Sequence, residues 1–125
     1  MRKKILIVDD EPEITTVLRN ALEPLGHQVR ICDTGLRVMD DLRAYKPDLV
    51  IMDVMLPGID GYSLVSKFLD GDDAAFNKLP VIMISGLETS RCMFDRFTQV
   101  AAFFTKPFNV SDLVDAVNAV FTEKE

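Results

Sequence analysis

The sequence predicts a doubly wound α/β domain, a five-stranded parallel sheet with helices on both faces. Three observations carry this. Short apolar runs rich in β-branched residues recur along the 125 residues. Runs with no polar alternation belong to strands buried on both faces. An amphipathic stretch separates each run from the next, and strands alternating with helices close into a parallel sheet with right-handed crossovers.

Taken in order, Ile5-Leu6-Ile7-Val8 is the first strand, stopped by Asp9 and Asp10. Pro12 stands at a first helical position. Ile14, Val17, Leu18, Ala21, Leu22 and Leu25 then follow at steps of three and four, one helix face. Gly26 suits the residue after that helix. Val29–Cys32 is a second strand and Leu36–Tyr45 a second helix, with Val38, Met39 and Leu42 inward. Leu49-Val50-Ile51-Met52 is a third strand ending in Asp53, followed by a turn at Leu56-Pro57-Gly58. Tyr62–Leu69 is a third helix and Asp70–Lys78 a polar loop. Val81-Ile82-Met83-Ile84 is a fourth strand ending at Ser85-Gly86, and Glu88–Phe97 a shorter helix. Ala101–Phe104 is a fifth strand ending at Thr105-Lys106-Pro107. The last helix has Asn109 as N-cap, Asp112 three residues on, and Val110, Leu113, Val114, Val117, Val120 and Phe121 inward.

Length predicts a single domain over residues 1–125. The formal charge of −6 argues against direct contact with nucleic acid or an anionic membrane. No apolar run approaches a membrane span, and Ile5–Val8 is too short for a signal peptide, so a cytoplasmic setting is expected. Cys32 and Cys92 have no metal-ligand spacing and are expected to be reduced thiols. His27, the single histidine, is expected on the surface of a turn.

In doubly wound folds ligands bind outside the carboxyl ends of the strands. Asp9 and Asp10 follow the first strand, Asp53 the third, Ser85 the fourth and Lys106 the fifth. Alone, each is readily a cap, a turn residue or solvated surface. Together they place three carboxylates, a hydroxyl and an ammonium in one crevice. Three carboxylates repel, and one lysine offsets only one of them. The set therefore calls for a divalent cation with all-oxygen ligands, Mg²⁺ or Mn²⁺. An incoming phosphoryl group would meet the cation, Lys106 and Ser85, and a carboxylate could attack it to form an aspartyl phosphate. A dinucleotide site needs a Gly-rich turn after the first strand, where this chain has Asp-Asp-Glu-Pro.

These residues resemble the receiver domain of two-component response regulators over essentially the whole chain. The matching segments are Ile5–Glu11, Asp48–Gly61, Val81–Gly86 and Phe103–Phe108. The resemblance implies a flavodoxin-like strand order 2-1-3-4-5. It implies Asp53 as phosphoacceptor. It implies Mg²⁺ held by Asp10, Asp53 and the backbone carbonyl of Met55, with Asp9 acting through water. Ser85 is then the switch hydroxyl, Phe103 the switch aromatic, and Lys106 the phosphoryl-contacting lysine ahead of a cis Lys106–Pro107 bond. The implied donor is a phosphohistidine on a sensor histidine kinase or a phosphotransfer protein. The implied output is a downstream protein reading the fourth helix, fifth strand and fifth helix.

Two departures shape further expectations. Ser111–Phe121 contains no Arg or Lys, and Gln99-Val100-Ala101-Ala102 carries no acid, where one near Ala102 is usual in receivers that pair this way. A winged-helix type of dimer is therefore not expected, and an apolar partner face or another dimer arrangement is. Met55 and Leu87 occupy positions where polar side chains help place hydrolytic water, so a long-lived phosphoryl group is expected. Two alternatives stand beside the switch: a receiver fold that binds partners without phosphorylation, and a Mg²⁺-dependent phosphohydrolase. Adjacent strand side chains point to opposite faces, which sets Asp9 and Asp10 apart and argues against the hydrolase.

Overall fold

The computed structural model describes residues 3–56, 59–69, 71, 76–86 and 98–124. In chain order these form β1 (Lys4–Val8), α1 (Pro12–Leu22), β2 (Gln28–Cys32), α2 (Val38–Tyr45) and β3 (Leu49–Asp53). A short pair, β4 (Met55–Leu56) and β5 (Ile59–Asp60), precedes α3 (Gly61–Leu69), β6 (Val81–Ser85), β7 (Val100–Thr105) and α4 (Val110–Lys124). The five long strands make one parallel sheet in the order β2-β1-β3-β6-β7. Counting those strands alone, this is the expected 2-1-3-4-5.

The apolar runs divide by parity, as a pleated strand requires. Leu6, Val8, Val50, Met52, Val81 and Met83 face a core shared with Val38 and Leu42 of α2 and Leu64 and Val65 of α3. Ile5, Ile7, Leu49, Ile51, Ile82 and Ile84 face a second core built with Leu18 and Leu22 of α1 and Leu113 and Val117 of α4. Every side chain of β3 is therefore buried.

Helix ends follow local chemistry. Pro12 opens α1 at its first position. A 3₁₀ turn over Glu23–Leu25 closes at Gly26, whose φ of 94° lies in the left-handed region that glycine enters without penalty. Asn109 Oδ1 accepts from the amide nitrogens of Ser111 (2.9 Å) and Asp112 (3.3 Å), the expected N-cap. Gly61 has a different task. Its amide donates to the Val54 carbonyl at 3.0 Å, and a Cβ there would collide with that oxygen. Glycine thus lets α3 begin directly against the chain leaving β3.

Some expectations need correction. His27 is buried, not on the surface: it is 8% exposed, with its ring 5.2 Å from that of Phe121. The apolar surroundings come from α4, far along the chain. The turn after β3 is framed by a small antiparallel hairpin, in which Met55 pairs with Asp60 and Leu56 with Ile59. Phe76, inside the stretch read as a polar loop, joins the first core. A 3₁₀ turn, Gly35–Arg37, precedes α2, with the Thr34 side chain accepting from Leu36 N. The helix expected at 88–97, Cys92, Leu87, and residues 57–58 of the turn lie outside the described residues.

Candidate functional site: an acidic crevice at the carboxyl edge

Parallel pairing brings the strand ends to one edge of the sheet. Val8 stands beside Met52, Asp53 beside Ile84 and Ser85 beside Thr105. The amide of Lys106 donates to the Ser85 carbonyl at 2.7 Å, which ties the end of β7 to that of β6. The Lys106–Pro107 bond is cis, as expected.

Asp9 and Asp53 are held the same way. Asp9 Oδ1 accepts from Glu11 N, and Asp53 Oδ1 accepts from Met55 N, each at 2.9 Å. Each carboxylate thereby folds back onto the amide two residues ahead, a turn typical of Asp. Each leaves Oδ2 turned toward Lys106. The Nζ lies 2.9 Å from Asp53 Oδ2 and 3.2 Å from Asp9 Oδ2. It also donates to Glu11 Oε1 at 2.8 Å.

The turn at Asp9 overturns one expectation. Asp9 and Asp10 were expected to diverge as neighbours on a strand. With the chain turning out of the sheet at Glu11, they converge: single carboxylate oxygens of Asp9, Asp10, Glu11 and Asp53 all lie within 4.8 Å of one another. Glu11 is the member of this cluster that strand-end reasoning missed. Its signal was present, an acid directly after Asp9-Asp10 and before Pro12.

Burial sharpens the electrostatics. Asp9 and Asp53 are 2% and 4% exposed, whereas Asp10 and Glu11 are exposed. At 4 Å, two like charges repel by about 4 kcal/mol at an effective dielectric of 20. Burial, and then the Asp53 charge, push the Asp9 carboxyl above its usual range, against the Glu11 amide and Lys106. Burial alone would lower the Lys106 ammonium, but its hydrogen bonds to Glu11 and Asp53 hold it well above its usual range. The lysine is therefore a fixed cation facing Asp9, Glu11 and Asp53.

Asp9 Oδ2 is buried, and its charged neighbour is Lys106 Nζ at 3.2 Å. That one ammonium is shared among Asp9, Glu11 and Asp53, so the cluster keeps an excess of negative charge that a further cation would offset. The donors are all oxygen, which suits a hard divalent ion. The residues present therefore fit a metal of that class.

Ser85 is fully buried at the end of β6. Phe103 is half-buried on β7 beside Met83 and packs on the first core. Cys32 is buried and donates to the Thr34 carbonyl. Burial pushes its thiol up to about 11, which keeps it protonated at neutral pH.

Known proteins place this arrangement. The family model for the response regulator receiver domain matches residues 5–118. The alkaline phosphatase synthesis transcriptional regulatory protein PhoP of Bacillus subtilis is 33% identical over 129 residues, covering all of this chain and 51% of the relative. Sporulation initiation phosphotransferase F of the same organism is 31% identical over 117 residues, covering 94% of this chain and 92% of the relative. This chain thus spans about half the length of PhoP and nearly all of phosphotransferase F. Among solved structures, the response regulator TrrA of Thermotoga maritima in complex with Mg²⁺-BeF superimposes with a TM-score of 0.80 at 25% identity, over 94% of this chain and 98% of that one. With parallel sheet, acidic crevice and strand-end lysine all in the family's order, the chain belongs to the response regulator receiver domains, the phosphorylation-dependent switches of signalling.

Proposed function

We propose that Asp53 is the phosphoacceptor and that the domain works as a Mg²⁺-dependent switch. The observation that carries this is the state of the Asp53 carboxylate. It is buried, oriented by Met55 N through Oδ1 and by Lys106 through Oδ2, and crowded by acids that a cation would neutralise. Asp10, Asp53 and the Met55 carbonyl would hold Mg²⁺ (or Mn²⁺), with Asp9 acting through water. When bound, the ion neutralises the carboxylates and the phosphoryl oxygens.

The chain's own residues do the rest. An Asp53 oxygen attacks phosphorus, the bond from phosphorus to the donor breaks, and the donor leaves with the electron pair. For a phosphohistidine on a sensor kinase or phosphotransfer protein, the leaving group is an imidazole. Lys106 receives a phosphoryl oxygen in place of Asp53 Oδ2, and Ser85, at the next strand end, donates to another. Ser85 and Phe103 sit two strand positions apart in pairing terms, since Ser85 pairs with Thr105. Movement of Ser85 toward Asp53 opens space for Phe103 to turn inward, which biases the face of β7 and α4. A downstream partner reads that face. The exposed residues of α4 include Asp112 and Asp115 and no Arg or Lys before Lys124, which favours an output other than a basic–acidic dimer network.

The test is intact mass after incubation with acetyl phosphate and Mg²⁺. One phosphoryl addition is expected, absent in Asp53→Ala and absent with EDTA. No addition to the folded, Mg²⁺-treated protein overturns the reading and favours a binding module that works unmodified. Repeated release of phosphate from excess substrate would instead mark a hydrolase. Met55 is apolar and exposed beside Asp53, so the phosphoryl group should persist; decay within seconds contradicts that.

A further inference from the structure

We propose that Glu11 is the resting counter-ion of Lys106, and that its carboxylate slows phosphorylation by holding the lysine until the phosphoryl group displaces it. The proposal rests on the reading of Asp53 as phosphoacceptor.

Glu11 occupies the N-cap position of α1, yet its side chain makes no capping hydrogen bond. It reaches instead across the crevice to Lys106, 95 residues away in sequence, at 2.8 Å. Of the three carboxylates around Nζ, it is the one free to leave. The side chains of Asp9 and Asp53 are 1% and 5% exposed and each is also pinned by a backbone amide, while that of Glu11 is 55% exposed. Water can take over the Glu11 carboxylate at little cost, and cannot reach the other two so easily.

Phosphorylation supplies the force. A phosphoryl group brings a charge of about −1.5 to −2 to a place already crowded by acids. A Glu11 oxygen lies within 4.8 Å of oxygens of Asp9, Asp10 and Asp53. Repulsion therefore drives Glu11 off Lys106 as the phosphoryl group arrives. Before transfer, the same repulsion opposes the anionic donor, and the ion pair keeps the lysine from it. Glu11 acts through Lys106 and is a positioning residue. The competing role, direct ligation of the metal, makes the opposite prediction.

The experiment compares the full chain with Glu11→Gln and Asp53→Asn, at saturating Mg²⁺, by the rate of mass gain from acetyl phosphate. In the reaction an Asp53 oxygen bonds to phosphorus, the bond from phosphorus to the acetyl oxygen breaks, and acetate leaves with the electron pair. Glu11→Gln should react about threefold to fivefold faster, the size of an exposed charge interaction. The gain should shrink as salt is raised. A second readout needs no turnover: the ¹⁵N signal of the Lys106 ammonium, without Mg²⁺. In Glu11→Gln it should move and exchange its protons faster than in the unsubstituted protein. A rate equal to or below that of the unsubstituted protein overturns the proposal while leaving Asp53 as acceptor. A loss of Mg²⁺ affinity of tenfold or more does the same and assigns Glu11 to the metal. Failure of the unsubstituted protein to gain mass overturns both readings.

Discussion

The two edges of the sheet handle charge in opposite ways. At the amino edge, charges meet counter-charges or rings. Lys4 N donates to Asp48 Oδ2 at 2.8 Å, and Lys4 Nζ stands 5.4 Å from the Tyr45 ring centre. Further along β2, Arg30 lies 5.6 Å from the same ring centre and 3.2 Å from Asp41. Lys3 sits 5.9 Å from the Phe121 ring centre. At the carboxyl edge, acids crowd acids around one lysine. The first edge is built to be stable. The second gathers four acids around a single lysine, a charge imbalance that costs stability and fits a site kept for a ligand.

Substitutions can test that contrast. The largest effect belongs to the core between the edges. Ile51→Ala should destabilise by about 4 kcal/mol in urea melts, because β3 is buried on both faces. Mg²⁺ should not restore it. Lys106→Met comes next. It leaves Asp9 and Asp53 buried without their ammonium and should cost about 3 kcal/mol. Here added Mg²⁺ should recover much of the loss, and a loss equal with and without Mg²⁺ would break the comparison.

The smallest effect lies near the amino edge, at His27. Burial first, then the chain's amino terminus and Lys3, lower its pKa from 6.5. Unfolding therefore takes up a proton below about pH 6.5. Its contribution is complete above that pH and is lost as pH falls, at no more than about 1.4 kcal/mol per pH unit. His27→Phe should flatten the melting temperature between pH 6.5 and 5. An unchanged slope would show that another group carries it.

The central strands β1, β3 and β6 were legible because burial on both faces leaves no alternation to misread, and each of the five runs is followed within two positions by a charged or hydroxyl residue. The convergence of Asp9, Asp53, Ser85 and Lys106 was legible for the same reason, since parallel strands share one carboxyl edge. What was hidden depends on the chain outside the strands. Asp9 accepts the Glu11 amide and turns the backbone, so Glu11 joins the crevice where Asp10 was already expected. His27 is buried by Phe121, and nothing local announces it. Phe76 enters the core from a stretch bracketed by Asp72-Asp73 and Asn77-Lys78, which reads as a loop. The helix expected at 88–97 lies outside the described residues.

The central claim is that the acids are crowded for a cation and not for the fold. The most direct measurement is the folding stability of Asp9→Asn against the unsubstituted protein, with and without Mg²⁺. Asp9 is pushed above its usual range, chiefly by burial, so its ionised form costs the fold at neutral pH. Without Mg²⁺, Asp9→Asn should be more stable by about 1 kcal/mol at pH 7. That advantage should fade as pH falls and Asp9 takes its proton. With saturating Mg²⁺ it should shrink or reverse. A substituted protein that is less stable without the cation, by a margin Mg²⁺ does not change, would contradict the account.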